Sequence, residues 1–119
     1  MKLTTTLIAS TFFLVAGFSH QAFSTVANQA QSFQEQIHSS MKKMDKEMMG
    51  APMSGEPDRD FVTMMIPHHQ GAIDMAKAIL QNGKDRQIRA MAQKVITDQE
   101  REIKEMQTWL ASHKTTNSH

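Results

Sequence analysis

The sequence predicts an all-α fold, an antiparallel bundle of three main helices, and three observations carry that prediction. Apolar residues recur at spacings of three and four rather than two, which is the helical and not the strand period. β-branched clusters and sustained alternation are both missing. Turn-forming residues gather at only two internal places, around Gly50 to Pro57 and at Asn82-Gly83.

The first helix is expected from about Val26 to Met49, with Val26, Ala30, Phe33, Ile37, Met41, Met44 and Met48 as its apolar stripe. The run Gly50-Ala51-Pro52-Met53-Ser54-Gly55-Glu56-Pro57 breaks it. Asp58 or Asp60 then offers an N-cap for a second helix, and both place negative charge where the helix dipole favours it. That helix continues to Gln81 and stops at Asn82-Gly83. Pro67 lies inside it, removes a backbone hydrogen bond and predicts a kink between Thr63 and Pro67. The third helix spans about Asp85 to Ser112, with Ile88, Ala92, Val95, Ile96, Ile103, Met106 and Leu110 as its buried stripe. A link of a few residues makes helices two and three an antiparallel hairpin. The longer first loop folds helix one back onto it, and pairing two chains could complete a larger bundle.

Before the first helix, Lys2 and the apolar stretch Leu7 to Phe18 have the form of a secretory leader, too short to span a bilayer. Ala22-Phe23-Ser24 supplies small residues for cleavage after Ser24. The expected organisation is therefore a signal peptide at 1–24 and a Met-rich helix and loop at 25–57. A hairpin at 58–113 completes one domain with that segment, and a frayed tail follows at 114–119. The expected location is periplasmic or secreted.

Composition narrows the function. The 119 residues hold 13 Lys and Arg against 12 Asp and Glu. Losing Lys2 with the leader leaves the two signs equal, so no basic surface points to nucleic acid or to a membrane. Cysteine is absent, which excludes both a disulfide scaffold and a thiolate metal site. Methionine is the anomaly: 11 residues, against a single Trp and no Tyr.

On a helical wheel with Met64 at zero, Met75 falls at about 20°, His68 at about 40° and Met65 at about 100°. Phe61 and Ile79 lie at about 60° and His69 at about 140°, so both histidines occupy the apolar half, while Asp60, Gln70 and Asp74 fall on the opposite side. His68, in the wedge of Met64 and Met75, is the leading ligand candidate, and His69 leans toward Met65 and Ala76. Met64/His68 and Met65/His69 are i, i+4 neighbours. Thioethers are soft, neutral donors and imidazole is a borderline one, a set that suits copper(I) or silver(I) and disfavours calcium and magnesium. Met48, Met49 and Met53 form an additional candidate surface near the loop, while Met41 and Met44 read as packing. Gln99 and Glu102 intrude on the apolar arc of helix three. They either orient the imidazoles from behind as supporting groups or make an interhelical hydrogen bond that fixes register. His113 and His119 could assist copper(II) capture, although terminal histidines usually do nothing. Methionine stripes are often mere packing and histidines on apolar faces are often core, so the combination of the two carries the metal reading.

The run Asp60-Phe61-Val62-Thr63-Met64-Met65-Ile66-Pro67-His68-His69-Gln70-Gly71-Ala72-Ile73-Asp74-Met75-Ala76 resembles the signature of the CopM-type periplasmic copper-binding metallochaperones. That family has long been catalogued as a domain of unknown function. Gln99 to Leu110 resembles its second motif. The resemblance covers about Asp58 to Ser112 and implies a ferritin-like bundle, an extracytoplasmic location and copper held by Met and His. On matching positions it supports Met64, Met65, His68, His69, Met75 and Met106.

The expected function is thus a periplasmic copper-binding protein, a metallochaperone or buffer contributing to copper tolerance. Its expected partners are the metal ion, other periplasmic copper-handling proteins and a second copy of itself. The alternative is a helical stress chaperone or interaction module whose Met-rich surface holds apolar clients without metal. An enzyme is not expected. The Glu35-Gln36-Ile37-His38 spacing of a di-iron site occurs once without its second copy, and no nucleophile–base pair is present.

Overall fold

The computed structural model describes residues 18–114, and these form three α-helices. They are α1 at Phe18–Met49, α2 at Pro57–Asn82 and α3 at Arg86–Ser112. The fold is all-α, as the periodicity predicts. The expected leader core and the 115–119 tail lie outside the described residues, apart from Phe18 at the start of α1. Among the described residues no helix is long and apolar enough to cross a membrane.

α2 is the central element. It packs on α1 along one side and on α3 along the other, while α1 and α3 do not pack on each other among the described residues. The expected bundle is therefore an open layer rather than a closed three-helix cylinder. This explains four positions that the apolar stripes had placed inside. Val26, Met41, Phe61 and Ile88 are all exposed, because among the described residues no element closes over the open face or the overhanging end of α1.

The α2–α3 seam holds the core. Ile73, 2% exposed, packs with Ala76, Ala92 and Ile96, and Ile79, Leu80, Val95 and Ile103 surround that group. The hairpin is fixed at its turn by side chains that satisfy helix ends. The Asp85 carboxylate accepts from the Ile88 backbone N–H at 2.9 Å and caps α3. Arg89 donates to the carbonyls of Leu80 (2.5 Å) and Gly83 (3.1 Å), which α2 leaves without helical partners.

On the α1–α2 seam the two helices approach closely at Gly71. A Cβ on Gly71 would sit 2.6 Å from the Met44 Sδ and 2.8 Å from its Cβ and Cγ, so only glycine allows this approach. Met44 is thus a packing residue, seated against bare backbone. Lys43 to Asp74 (3.2 Å) and Asn82 to Gln36 (3.2 Å) set the antiparallel register from Met44 toward the C-terminal end of α2.

Two helix starts differ from expectation. α1 begins at Phe18 rather than near Val26. α2 begins at Pro57, where a proline costs no hydrogen bond, with Glu56 at the N-cap and neither aspartate capping. Asp60, placed by the wheel on the solvent side, is instead buried. Its carboxylate accepts from the Ser54 N–H (2.6 Å), the Ser54 hydroxyl (2.7 Å) and the Gly55 N–H (3.0 Å), so the loop folds over it. Gly55 reaches φ +84° to make that turn, a region open to glycine at little cost. These bonds hold the Asp60 carboxyl below the ordinary carboxylate range, with the Ser54 backbone N–H the largest cause.

Candidate metal centre

α2 carries both histidines through its Pro67 region without interruption. Their ring centroids are 5.9 Å apart and inclined at 62°. Adjacent residues on a helix point about 100° apart, so the two rings meet different surroundings. His68 is exposed and His69 is turned toward α3, its side chain 16% exposed.

His69 Nε2 lies 2.7 Å from Glu102 Oε2. A carboxylate only accepts, so Nε2 carries the proton and donates. Glu102 is itself held by Gln99, whose Nε2 donates to Oε2 at 3.4 Å, and by Arg101 at 3.7 Å from Oε1. The two polar intrusions on α3 therefore both serve the His69 ring, which answers why polar residues break that apolar arc.

The opposite nitrogen is the telling atom. His69 Nδ1 is buried and has no hydrogen-bond partner. With Nε2 protonated, Nδ1 presents a bare lone pair to the protein interior. An unmatched buried polar atom costs about 1–3 kcal/mol. A lone pair so placed, with its ring oriented from behind by a carboxylate, has the arrangement of a metal-ligating imidazole.

The thioethers sort by height along the helices. Carrying the Met44–Gly71 pairing on by one turn puts Met48 level with Pro67. Carrying His69–Glu102 on by one turn puts Met106 level with Met65. Met48, Met64, Met65 and Met106 are all half-buried and fall within about two turns of the histidines in height along the layer. Met75 does not. It shares a wheel direction with Met64 but stands about 16 Å further along the axis, at 1.5 Å per residue. Angle alone made a cluster that the rise separates, and Met75 instead lines a groove with Ile79 and Met91. Met49, 88% exposed, and Met53 lie on the surface of the loop region, away from any enclosed site.

His113 belongs elsewhere. Its ring stacks on Trp109 at 4.2 Å and its Nδ1 lies 2.9 Å from the Trp109 carbonyl, so it closes the end of α3. Arg59 donates to the His113 carbonyl and ties that end to the start of α2. His119 lies outside the described residues.

Three features went unread in the sequence: the Gly71–Met44 seat, the Asp60 loop clasp and the Trp109–His113 cap. A glycine in the middle of a strong helical run, and Ser-Gly a few residues before an aspartate, were the available signals for the first two.

The molecule is thus an all-α protein whose central helix presents a carboxylate-backed histidine beside half-buried methionines. The chain belongs to the family described as Domain of unknown function (DUF305), whose model matches residues 14–110. It is also 40% identical over 60 residues to an uncharacterised protein of Acanthamoeba polyphaga mimivirus. That match covers 50% of this chain and 40% of the viral protein, so the chain spans well under two thirds of its relative's length.

Proposed function

We propose that this protein holds a soft metal ion, copper(I) before silver(I) or copper(II), through histidine and methionine side chains on α2 and its neighbours. The observation that carries the reading is the buried, unpartnered Nδ1 of His69 on a ring held from behind by Glu102. His69, rather than His68, is accordingly the principal nitrogen ligand, and Glu102 and Gln99 position it. Met64, Met65 and Met106 supply thioether donors at the same height, with His68 and Met48 at its margins.

The donor chemistry supports a soft ion. Among the described residues no three His, Cys, Asp or Glu side chains gather into one site. Coordination beyond the histidine pair therefore falls to thioethers, which favour copper(I). Thioethers carry no proton to lose, so such a site keeps its sulfur ligands in acid. Export past Ser24 would place the protein in the periplasm or outside the cell, where a thiol-free site avoids oxidation. There it would act as a copper buffer or metallochaperone and contribute to copper tolerance.

The test is a copper(I) titration of the purified protein against a competing chelator, compared with the His68→Ala/His69→Ala double variant. At least a tenfold loss of affinity is expected. Equal affinity in the two proteins rejects the site. It would leave the metal-free reading, a module holding apolar clients on the exposed Met41, Met91 and Phe61 surface.

A further inference from the structure

The layer is open on one face. Ile37 of α1, Met75 and Ile79 of α2, and Ile88, Met91 and Val95 of α3 line a shallow apolar groove of about 280 Å³. Met91 is 56% exposed and Ile88 45% exposed, large side chains that a finished core would cover. The same face continues toward the start of α2. On the wheel His68 lies between the groove residues Met75 and Ile79, and exposed Phe61 shares their direction. The exposed histidine therefore stands on the apolar face and not on the solvated back of the helix.

We propose that a second copy of this chain packs on this open three-helix face, and that the metal site is shared across the interface. His68 and Met64 of each copy would then turn toward those of the other. The shared site rests on the copper reading above; the pairing does not.

Three observations favour a second copy as the occupant. The first is area. α2 has 26 residues, roughly 39 Å at 1.5 Å per residue, and three helices spaced about 8–10 Å apart make a face roughly 20 Å wide. The product, roughly 800 Å² per copy, is what one partner buries in a standard stable interface. The second is charge. The groove on this face is lined by uncharged apolar side chains alone, and beside it along α3 Lys94 pairs with Asp98 and Arg101 with Glu105. Two identical faces thus meet without repulsion, as an isologous pair requires. The third is the site. Within one copy His68 is exposed. A facing copy would bury it and bring a second imidazole and thioether pair to the same place.

The experiment is sedimentation of the purified protein with and without copper(I), repeated on Met91→Glu and Ile88→Lys. Both residues are exposed and neither is a proposed ligand, so helix content by circular dichroism should be retained. A dimer that both substitutions convert to monomer is expected, together with at least a tenfold fall in copper(I) affinity for those monomers. A monomer at every concentration, with and without copper, overturns the pairing and leaves the face to another occupant. A dimer that survives both substitutions overturns its placement on this face. Monomeric variants that bind copper(I) as tightly as the dimer overturn the shared site. A dimer that binds no copper at all removes the shared site through failure of the copper reading, while the packing of the two faces stands.

Discussion

Gly71→Ala isolates the close approach of α1 and α2, and two opposing effects decide its sign. In an isolated helix the change would stabilise by about 1 kcal/mol, because alanine has the higher helix propensity. Here the added Cβ would meet Met44 at 2.6–2.8 Å, against both its mobile sulfur and its Cβ close to the backbone. Rotating the thioether away relieves the first clash and not the second, so α1 itself has to move. Overpacking of this kind costs about 1–3 kcal/mol. The net expectation is a loss of roughly 1 kcal/mol, or a Tm lower by roughly 4–8 °C for a domain of this size. Thermal unfolding followed by circular dichroism measures it. The mechanism is tested by the double variant with Met44→Ala, which empties the seat. Met44→Ala should cost stability alone and restore it in the Gly71→Ala background. A Tm that rises in Gly71→Ala, or two effects that simply add, would refute the claim that these residues are in contact.

Four further outcomes follow from the same geometry. Glu102→Gln keeps the shape of the side chain but weakens its hold on His69, and should reduce copper(I) affinity about 10–100-fold in a chelator competition. Met75→Leu should leave that affinity within twofold, whereas Met106→Leu lowers it, since Met75 stands about 10 Å along the axis from His68. Asp60 has a folded-state pKa below its unfolded value, so its stabilising effect is full above the unfolded pKa and is lost as pH falls through the folded one. Asp60→Asn should accordingly lower Tm at neutral pH and flatten the acid limb of a Tm-against-pH profile. His113→Ala removes the ring stacked on Trp109, and the emission of this sole tryptophan should shift to longer wavelength as the end of α3 frays.

Helix positions were legible because each helix repeats its apolar residues on the 3.6 period over more than six turns, and because Asp85 and Asn82-Gly83 punctuate the hairpin. That Gln99 and Glu102 need partners was legible too, since they are polar groups inside an apolar arc, but the sequence leaves open whether they orient an imidazole or only fix register, and which histidine they meet. What a single wheel does not contain is height and company. It aligned Met64 with Met75 although the axial rise separates them. It favoured His68 over His69 by angle, when the depth of His69 against α3 is set by the hairpin. It placed Ile88 and Phe61 inside, because a stripe says which face is apolar and not whether anything covers it. Gly71 acquires its meaning only from Met44 on another helix, and Asp60 only from the path of a loop.

The central claim is that His69 binds metal through Nδ1 while Glu102 holds its Nε2–H. It is tested most directly by recording the imidazole ¹⁵N resonances of the labelled protein as copper(I) is added. The His69 Nδ1 signal should move to the shift of a metal-bound nitrogen while Nε2 remains protonated. A His69 Nδ1 signal that stays where it was at saturating copper(I) would contradict it.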